Sequence, residues 1–423
     1  MSRTAQRVSL FQESVIREMT RLVQQEGGIN LAQGFPDFDP PQELLEAAQR
    51  ALAEGYNQYA ITWGDPEFRA ALAEKMERFQ GIRYDPDRHL TVTCGATEAM
   101  MATMLATVNP GEEVVVFEPF YENYGPDAAL SGARLRYVPL DLSRPDFPYD
   151  PRELERAFSR NTKAIVVNTP HNPTGKVFRR EELEHIADLC RHYGALAVTD
   201  EVYEHILYDG AQHVSLAALP GMAGRTVVIS SMSKTYSVTG WRVGWAAVAD
   251  QALAGAIRKA HDFLTVGAPA PLQRAGVVAL RFGDDYYREM AASYRRRRDL
   301  LLDALREVGF RPTVPQGAYY IMADFRGLSS EDDHLFARRL IREAGVATVP
   351  GSSFFHDPSS GRGYVRFAYP KREETLQEAA RRLRAWLRKA PGGRADRGPQ
   401  DSHSDVPAWS RSSETPGRAG GRG

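Results

Sequence analysis

The sequence predicts an α/β fold, with a mainly parallel sheet sandwiched between helices and a smaller α+β domain attached. Three observations carry this expectation. Short apolar runs recur at residues 113–117, 134–138, 164–168, 196–199, 226–230 and 245–248, and near-continuous apolar runs mark strands buried on both faces. Helical periodicity fills residues 97–105 and 180–192 between them, and strands alternating with helices build a parallel sheet. From residue 286 the spacing changes. A long basic helix over 286–307 is followed by a strand at 317–322, a helix near 331–344, a strand at 364–367 and a helix at 373–389.

The chain divides accordingly into an N-terminal segment (1–39) packing with the small domain, a large domain (40–285), a small domain (286–390) and a tail (391–423). The tail is rich in Gly, Pro, Ser, Arg and Asp, with Val406 and Trp409 as its only large apolar residues. It has too little apolar surface to offset its ordering entropy and is expected to be disordered.

The 423 residues are 43% hydrophobic and 25% charged, with 53 Lys plus Arg against 54 Asp plus Glu. A net charge of −1 gives no reason to expect a nucleic-acid or membrane partner. The two cysteines, Cys94 and Cys190, have no partner motif, and no apolar run approaches the roughly 20 residues of a membrane span. With no signal-peptide pattern at the start, the expectation is a cytoplasmic globular protein.

The polar residues that stand out follow strand ends, where ligands of open α/β sheets bind. Lys234 lies just past the strand at 226–230, among Ser231, Ser233, Thr235 and Ser237 and ahead of Gly240 and Gly244. Desolvation there lowers a lysine's pKa and frees its amine to attack an aldehyde. Ser231 and Arg242 can hold a phosphate dianion, the guanidinium matching its geometry. Asp200 ends the strand at 196–199; it fits either a helix N-cap or the partner of a protonated pyridine nitrogen. Tyr203 can donate to a phenolic ring oxygen, as can the Asn172 amide in the turn Thr169-Pro-His-Asn-Pro-Thr-Gly175, although a plain turn has the same composition. Gly95, Ala96 and Thr97 open a helix after a strand and offer backbone N–H groups to a phosphate.

The order Gly95, Asn172, Asp200, Lys234 resembles that of the class I/II, fold-type-I pyridoxal-phosphate-dependent aminotransferases over about residues 12–389. Within them the chain looks most like the kynurenine/glutamine/methionine branch. The similarity rests on Asn30-Leu-Ala-Gln-Gly34-Phe-Pro-Asp-Phe, Asn57-Gln-Tyr59, Glu118-Pro-Phe-Tyr121, Asn172-Pro-Thr-Gly, Asp200-Glu-Val-Tyr203, Gly240-Trp-Arg-Val-Gly244-Trp, Val349-Pro-Gly-Ser-Ser-Phe and Tyr364-Val-Arg366-Phe.

The resemblance implies a seven-stranded sheet and pyridoxal 5′-phosphate as cofactor, with no metal. It makes Lys234 the Schiff-base lysine, Asp200 the partner of the pyridine nitrogen, and Asn172 and Tyr203 the holders of the ring oxygen. Tyr121 would stack on the ring. Gly95, Ala96, Thr97, Ser231 and Arg242 would bind the phosphate, joined by Tyr59 from the neighbouring subunit of a homodimer. Arg366, Asn172 and the Gly34 backbone would take the substrate carboxylate, and Ile16 would line the side-chain pocket where the animal kynurenine enzymes have an aromatic residue.

The implied activity is reversible, ping-pong amino transfer from an L-amino acid (aromatic, methionine, glutamine or kynurenine-like) to a 2-oxo acid. Alternatives are a cysteine-conjugate β-lyase on the same site or an aspartate-type aminotransferase. Residues 264–267, expected to reach the partner's pocket, carry no arginine for a second carboxylate. A regulator built on this fold would need a DNA-binding module, for which neither terminus has the sequence.

Overall fold

The computed structural model describes residues 3–389; the tail expected to be disordered lies outside them. After the helix Val15–Gln25 and the two-residue strand β1 (Ile29–Asn30), the chain builds one sheet. Its strands are β2 (Leu90–Thr93), β3 (Glu113–Glu118), β4 (Arg134–Pro139), β5 (Thr162–Asn168), β6 (Leu196–Asp200), β7 (Thr226–Ser231) and β8 (Gly244–Ala247). Their spatial order is β2-β8-β7-β6-β5-β3-β4. Strands β7, β6, β5, β3 and β4 run parallel, and β8 is antiparallel to both neighbours. The mainly parallel seven-stranded sheet agrees with the expected α/β class.

Alternate side chains serve opposite faces, as the pleat requires. Val115, Phe117, Ile165 and Val167 pack with Leu183 and Ile186 of the helix Arg180–Tyr193. Val114, Val116, Val166 and Val198 pack with Ala99 and Met100 of the helix Ala96–Thr107 and with Ile257 of the helix Gln251–Thr265. Asn168 of β5 pairs in register with Asp200 of β6, so the carboxyl ends of the central strands share one edge of the sheet.

The second sheet is antiparallel, with strands β9 (Arg311–Pro312), β10 (Tyr320–Asp324), β12 (Val349–Pro350) and β13 (Tyr364–Ala368) in the order β12-β13-β10-β9. Strand β11 (Val346–Ala347) instead pairs with β1. The helices Asp284–Val308, Asp333–Ala344 and Glu373–Lys389 contribute Leu301, Leu305, Phe336, Leu340 and Leu383, which pack with Val365 and Phe367. Ile16, Met19 and Val23 of the first helix pack with Met322, Ala337 and Ile341.

Strand β10 begins later than the expected 317–322. The N–H groups of Gln316 and Gly317 donate to the Gly175 carbonyl and that of Ala318 to Ile206. Ala318 itself sits at φ 58°, in the left-handed region that side chains other than glycine rarely adopt. This backbone is therefore committed to the loops of the large sheet before it turns into its own strand. Among the described residues, no helix is long and apolar enough to cross a membrane.

Candidate active site

Lys234 lies in the short helix Met232–Thr235, directly after β7. Its Nζ donates to the Gly34 carbonyl at 3.3 Å. Burial, helped by the Arg242 and Arg366 charges, lowers its pKa to about 8, while Asp200 pulls the other way. Asp200 ends β6 and accepts from the Tyr124 hydroxyl at 2.8 Å. Burial pushes its pKa up to about 6, although Tyr124, the Val202 N–H and Lys234 act to lower it. A buried carboxylate this poorly compensated is a place for a cation. Tyr203 is buried, with its hydroxyl 2.9 Å from that of Tyr320, and its ring centroid is 5.9 Å from the Lys234 amine.

Across from these groups, Arg366 of β13 is fully buried. Its Nη1 donates to Asn172 Oδ1 at 2.9 Å and its Nη2 to the Ala32 carbonyl at 2.7 Å, while its Nε has no partner. It forms no ion pair among the described residues. Asn172 is itself fixed by its N–H, which donates to Asn168 Oδ1 at 2.7 Å. The Gly34 carbonyl also accepts from Tyr319 at 2.9 Å, and a Cβ on Gly34 would stand 2.1 Å from the Tyr320 hydroxyl, so glycine alone fits there. This segment is held down by Lys371, whose Nζ donates to the Phe35 carbonyl at 2.7 Å and lies 4.0 Å from the Phe35 ring centroid.

Ile16 belongs to the cluster containing Phe354, whose ring is 4.8 Å from the Arg366 guanidinium. The partly buried Tyr121 packs edge-on against Tyr124. Beside it, the Glu122 carboxylate takes the Ser14 hydroxyl and the Ile16 N–H, tying the first helix to the loop after β3.

The expected phosphate group also comes together. Gly95 precedes the helix Ala96–Thr107 at φ 83°, with no side chain capping that end. A Cβ on Gly95 would meet Arg242 Nη2 at 2.3 Å, and one on Gly244 would meet the Ala96 nitrogen at 2.6 Å. Uncapped N–H groups of Ala96 and Thr97, the Ser231 hydroxyl at the end of β7 and an exposed Arg242 without an ion pair among the described residues make an anion cradle. With the amine of Lys234, its pKa lowered by burial, and the poorly compensated Asp200, these residues fit pyridoxal phosphate at its phosphate, carbonyl and ring nitrogen.

Tyr59 is not brought into this group. It is 87% exposed, as Phe263 is at 91%, with Ile61, Leu264 and Val266 about half exposed. Sequence reasoning missed Tyr124, Tyr319, Tyr320, Glu122 and Lys371. For Tyr124 the available signal was its spacing from Tyr121. Glu201, Glu204 and His213 also converge, with ligand atoms within 4.8 Å of one another. Their carboxylates already take Lys75, Gln80 and Ser215.

The chain matches the family Aminotransferase class I and II over residues 26–383. It is 41% identical over 389 residues to a probable N-succinyldiaminopimelate aminotransferase of Mycobacterium tuberculosis, covering 90% of this chain and 98% of the relative. The solved structure of the M. tuberculosis N-succinyldiaminopimelate aminotransferase superposes with a TM-score of 0.88 at 40% identity, covering 90% of this chain and all of the other. The methionine aminotransferase of Escherichia coli is 38% identical, covering 88% of this chain and 95% of the relative. Human kynurenine–oxoglutarate transaminase 1 is 36% identical, with 87% and 94% covered. Taken with a site that fits pyridoxal phosphate, these matches establish that the chain belongs to the pyridoxal-phosphate-dependent class I and II aminotransferases.

Proposed function

We propose that this aminotransferase moves the amino group of an L-amino acid with an aromatic, methionine-, glutamine- or kynurenine-like side chain to a 2-oxo acid in ping-pong fashion. It works as a two-fold homodimer with composite sites. The observation that carries the reading is Arg366, a buried guanidinium with no ion pair among the described residues, bonded to the Ala32 carbonyl two residues before the Gly34 carbonyl that takes the Lys234 amine. A buried cation calls for an anion, and the carboxylate of an amino acid or 2-oxo acid supplies one close to that amine.

When bound, pyridoxal phosphate supplies an aldehyde and an electron-withdrawing ring. In this reading Lys234 is the attachment point and, once displaced, the base that takes the substrate α-proton on Nζ. A pKa near neutrality suits a group that must both accept and return a proton. Asp200 holds the proton on the ring nitrogen, and Tyr203 and Asn172 hold the ring oxygen. Tyr121 covers one ring face, while Gly95, Ala96, Thr97, Ser231 and Arg242, with Tyr59 of the second subunit, retain the phosphate. Arg366, Asn172 and Gly34 orient the substrate carboxylate, and Ile16 bounds its side chain. The division at residues 39, 285 and 390 belongs to the same reading: Lys234 stands on the larger unit and Arg366 on the smaller.

A second reading, transfer to or from an N-succinylated diamino-dicarboxylate, is favoured by the M. tuberculosis relative and by Arg17. That guanidinium is exposed, without an ion pair among the described residues, on the helix that also carries Ile16. A panel of amino donors assayed against 2-oxoglutarate and pyruvate, with N-succinyl-diaminopimelate included, tests both. Preference for that compound by a factor of a hundred selects the second reading. Release of pyruvate, ammonia and thiol from cysteine conjugates without amino transfer would replace both by a β-lyase.

A further inference from the structure

Tyr320, the first residue of β10, is buried and touches three parts of the site. Its hydroxyl is 2.9 Å from that of Tyr203. Its ring centroid lies 4.3 Å from the Arg366 guanidinium carbon, close enough for a cation–π contact. The hydroxyl also fills the space where any side chain on Gly34 would stand. Tyr320 thus touches both the arginine expected to take the substrate carboxylate and the phenol expected to hold the ring oxygen.

We infer that Tyr320 is a positioning residue that couples the carboxylate end of the site to the cofactor ring, its ring supporting Arg366 and its hydroxyl orienting that of Tyr203. The inference rests on the reading that Tyr203 donates to the ring oxygen. Either hydroxyl can be the donor of the 2.9 Å pair. A phenol has one proton; when Tyr203 gives its own to the cofactor, Tyr320 must be the donor of the pair. Such a chain polarises Tyr203 and makes it a stronger donor. A hydrogen bond to the ring oxygen favours the anionic form of that oxygen, so a weaker Tyr203 raises the pH at which the bound chromophore loses its proton.

The test is a pH titration of the visible absorption of the substrate-free holoenzyme, together with KM for an amino donor. Tyr320→Phe keeps the ring over Arg366 and removes the hydroxyl. Its titration midpoint should rise by about half to one pH unit, with KM within about twofold of wild type. Tyr320→Leu removes both and should add a KM increase of roughly threefold to tenfold. Tyr203→Phe should also raise the midpoint, and Tyr320→Phe should shift it no further in the Tyr203→Phe background, because the two act in one chain. If Tyr203→Phe shifts the midpoint and Tyr320→Phe does not, the coupling is wrong while the role of Tyr203 stands. If neither shifts it, the role of Tyr203 fails and the coupling with it. An unchanged KM in Tyr320→Leu overturns the support of Arg366.

Discussion

Arg366 donates from Nη1 to Asn172 Oδ1 at 2.9 Å, joining the small antiparallel sheet to a loop of the large one. The amide oxygen turns the guanidinium without neutralising it, so its charge stays available to an incoming anion.

Arg366→Lys keeps the charge but loses the planar fork that reaches Asn172 and Ala32 together. A lost charge-assisted bidentate contact costs about 2–3 kcal/mol, and KM for the amino donor should rise thirtyfold or more. The absorption spectrum of the bound cofactor should stay as in wild type. An unchanged KM would remove Arg366 from the substrate site.

Burial raises the Asp200 carboxyl to about 6, above its unfolded value, so the folded state holds that proton longer than the unfolded chain. Stability of the cofactor-free protein should therefore fall by up to about 3 kcal/mol as pH rises from about 4 to 6. Cofactor-free Asp200→Asn, which has no such charge, should melt higher than wild type at pH 7.5 and level with it near pH 4. If Asp200 is the partner of the ring nitrogen, as proposed, loading with pyridoxal phosphate should reverse that order at pH 7.5, because only the wild-type carboxylate can pair with it. Equal melting at every pH in the cofactor-free state would mean that Asp200 has another counter-charge.

The pair Lys75–Glu204, 2.6 Å apart with both side chains almost fully buried, pins the helix Pro66–Gln80 to the turn that follows Asp200 at the end of β6 and carries Tyr203. Burial alone would raise the Glu204 carboxyl, yet Lys75, His205 and His213 hold it at about 2. Lys75→Met should cost about 3–5 kcal/mol at pH 7 by stranding that carboxylate, and Lys75→Met/Glu204→Leu should recover part of the loss. The deficit should shrink in acid, since a depressed carboxyl pKa stabilises above the unfolded value and ceases to do so as pH falls towards about 2. Chemical denaturation of the three proteins at pH 7 and pH 4 measures both effects.

The proposed composite sites predict complementation between subunits. Tyr59→Ala and Lys234→Ala homodimers should each have little activity. After subunit exchange, hybrids should carry one site with both lesions and one with neither, restoring up to about a quarter of wild-type turnover. Hybrids verified by mass that stay inactive, from a Tyr59→Ala parent that is itself inactive, would place Tyr59 in its own subunit's site.

Much of the large sheet was legible because its central strands β5, β6 and β7 are apolar and buried on both faces, and Asp200, Lys234 and Asn172 each lie at or within four residues of the end of one of them. Strand β2 was anticipated only as a strand of unstated bounds ahead of Gly95, because Leu90-Thr-Val-Thr is just four residues long and its partner β8 lies some 150 residues further on. The late start of β10 escaped for a related reason: the backbone of residues 316–318 is fixed by Gly175 and Ile206, distant partners that no local pattern announces. Tyr320 reads as one more apolar strand residue until the fold sets Arg366, Tyr203 and Gly34 around it. The exposed Tyr59 was legible only through resemblance, since a loop aromatic carries no periodicity.

The approach of Gly244 to Gly95 has a consequence for the order of assembly. Thr93 and Gly244 face each other across antiparallel β2 and β8, and the anion cradle exists only where these two segments meet. Bringing together parts of the chain so far apart is slow compared with local helix formation. A nascent polypeptide that has not yet emerged beyond Gly244 cannot grip a phosphate, however well its earlier strands have paired. Acquisition of the chromophore thus reports that the whole sheet has closed, and yellow colour during refolding should appear after the helical signal has recovered.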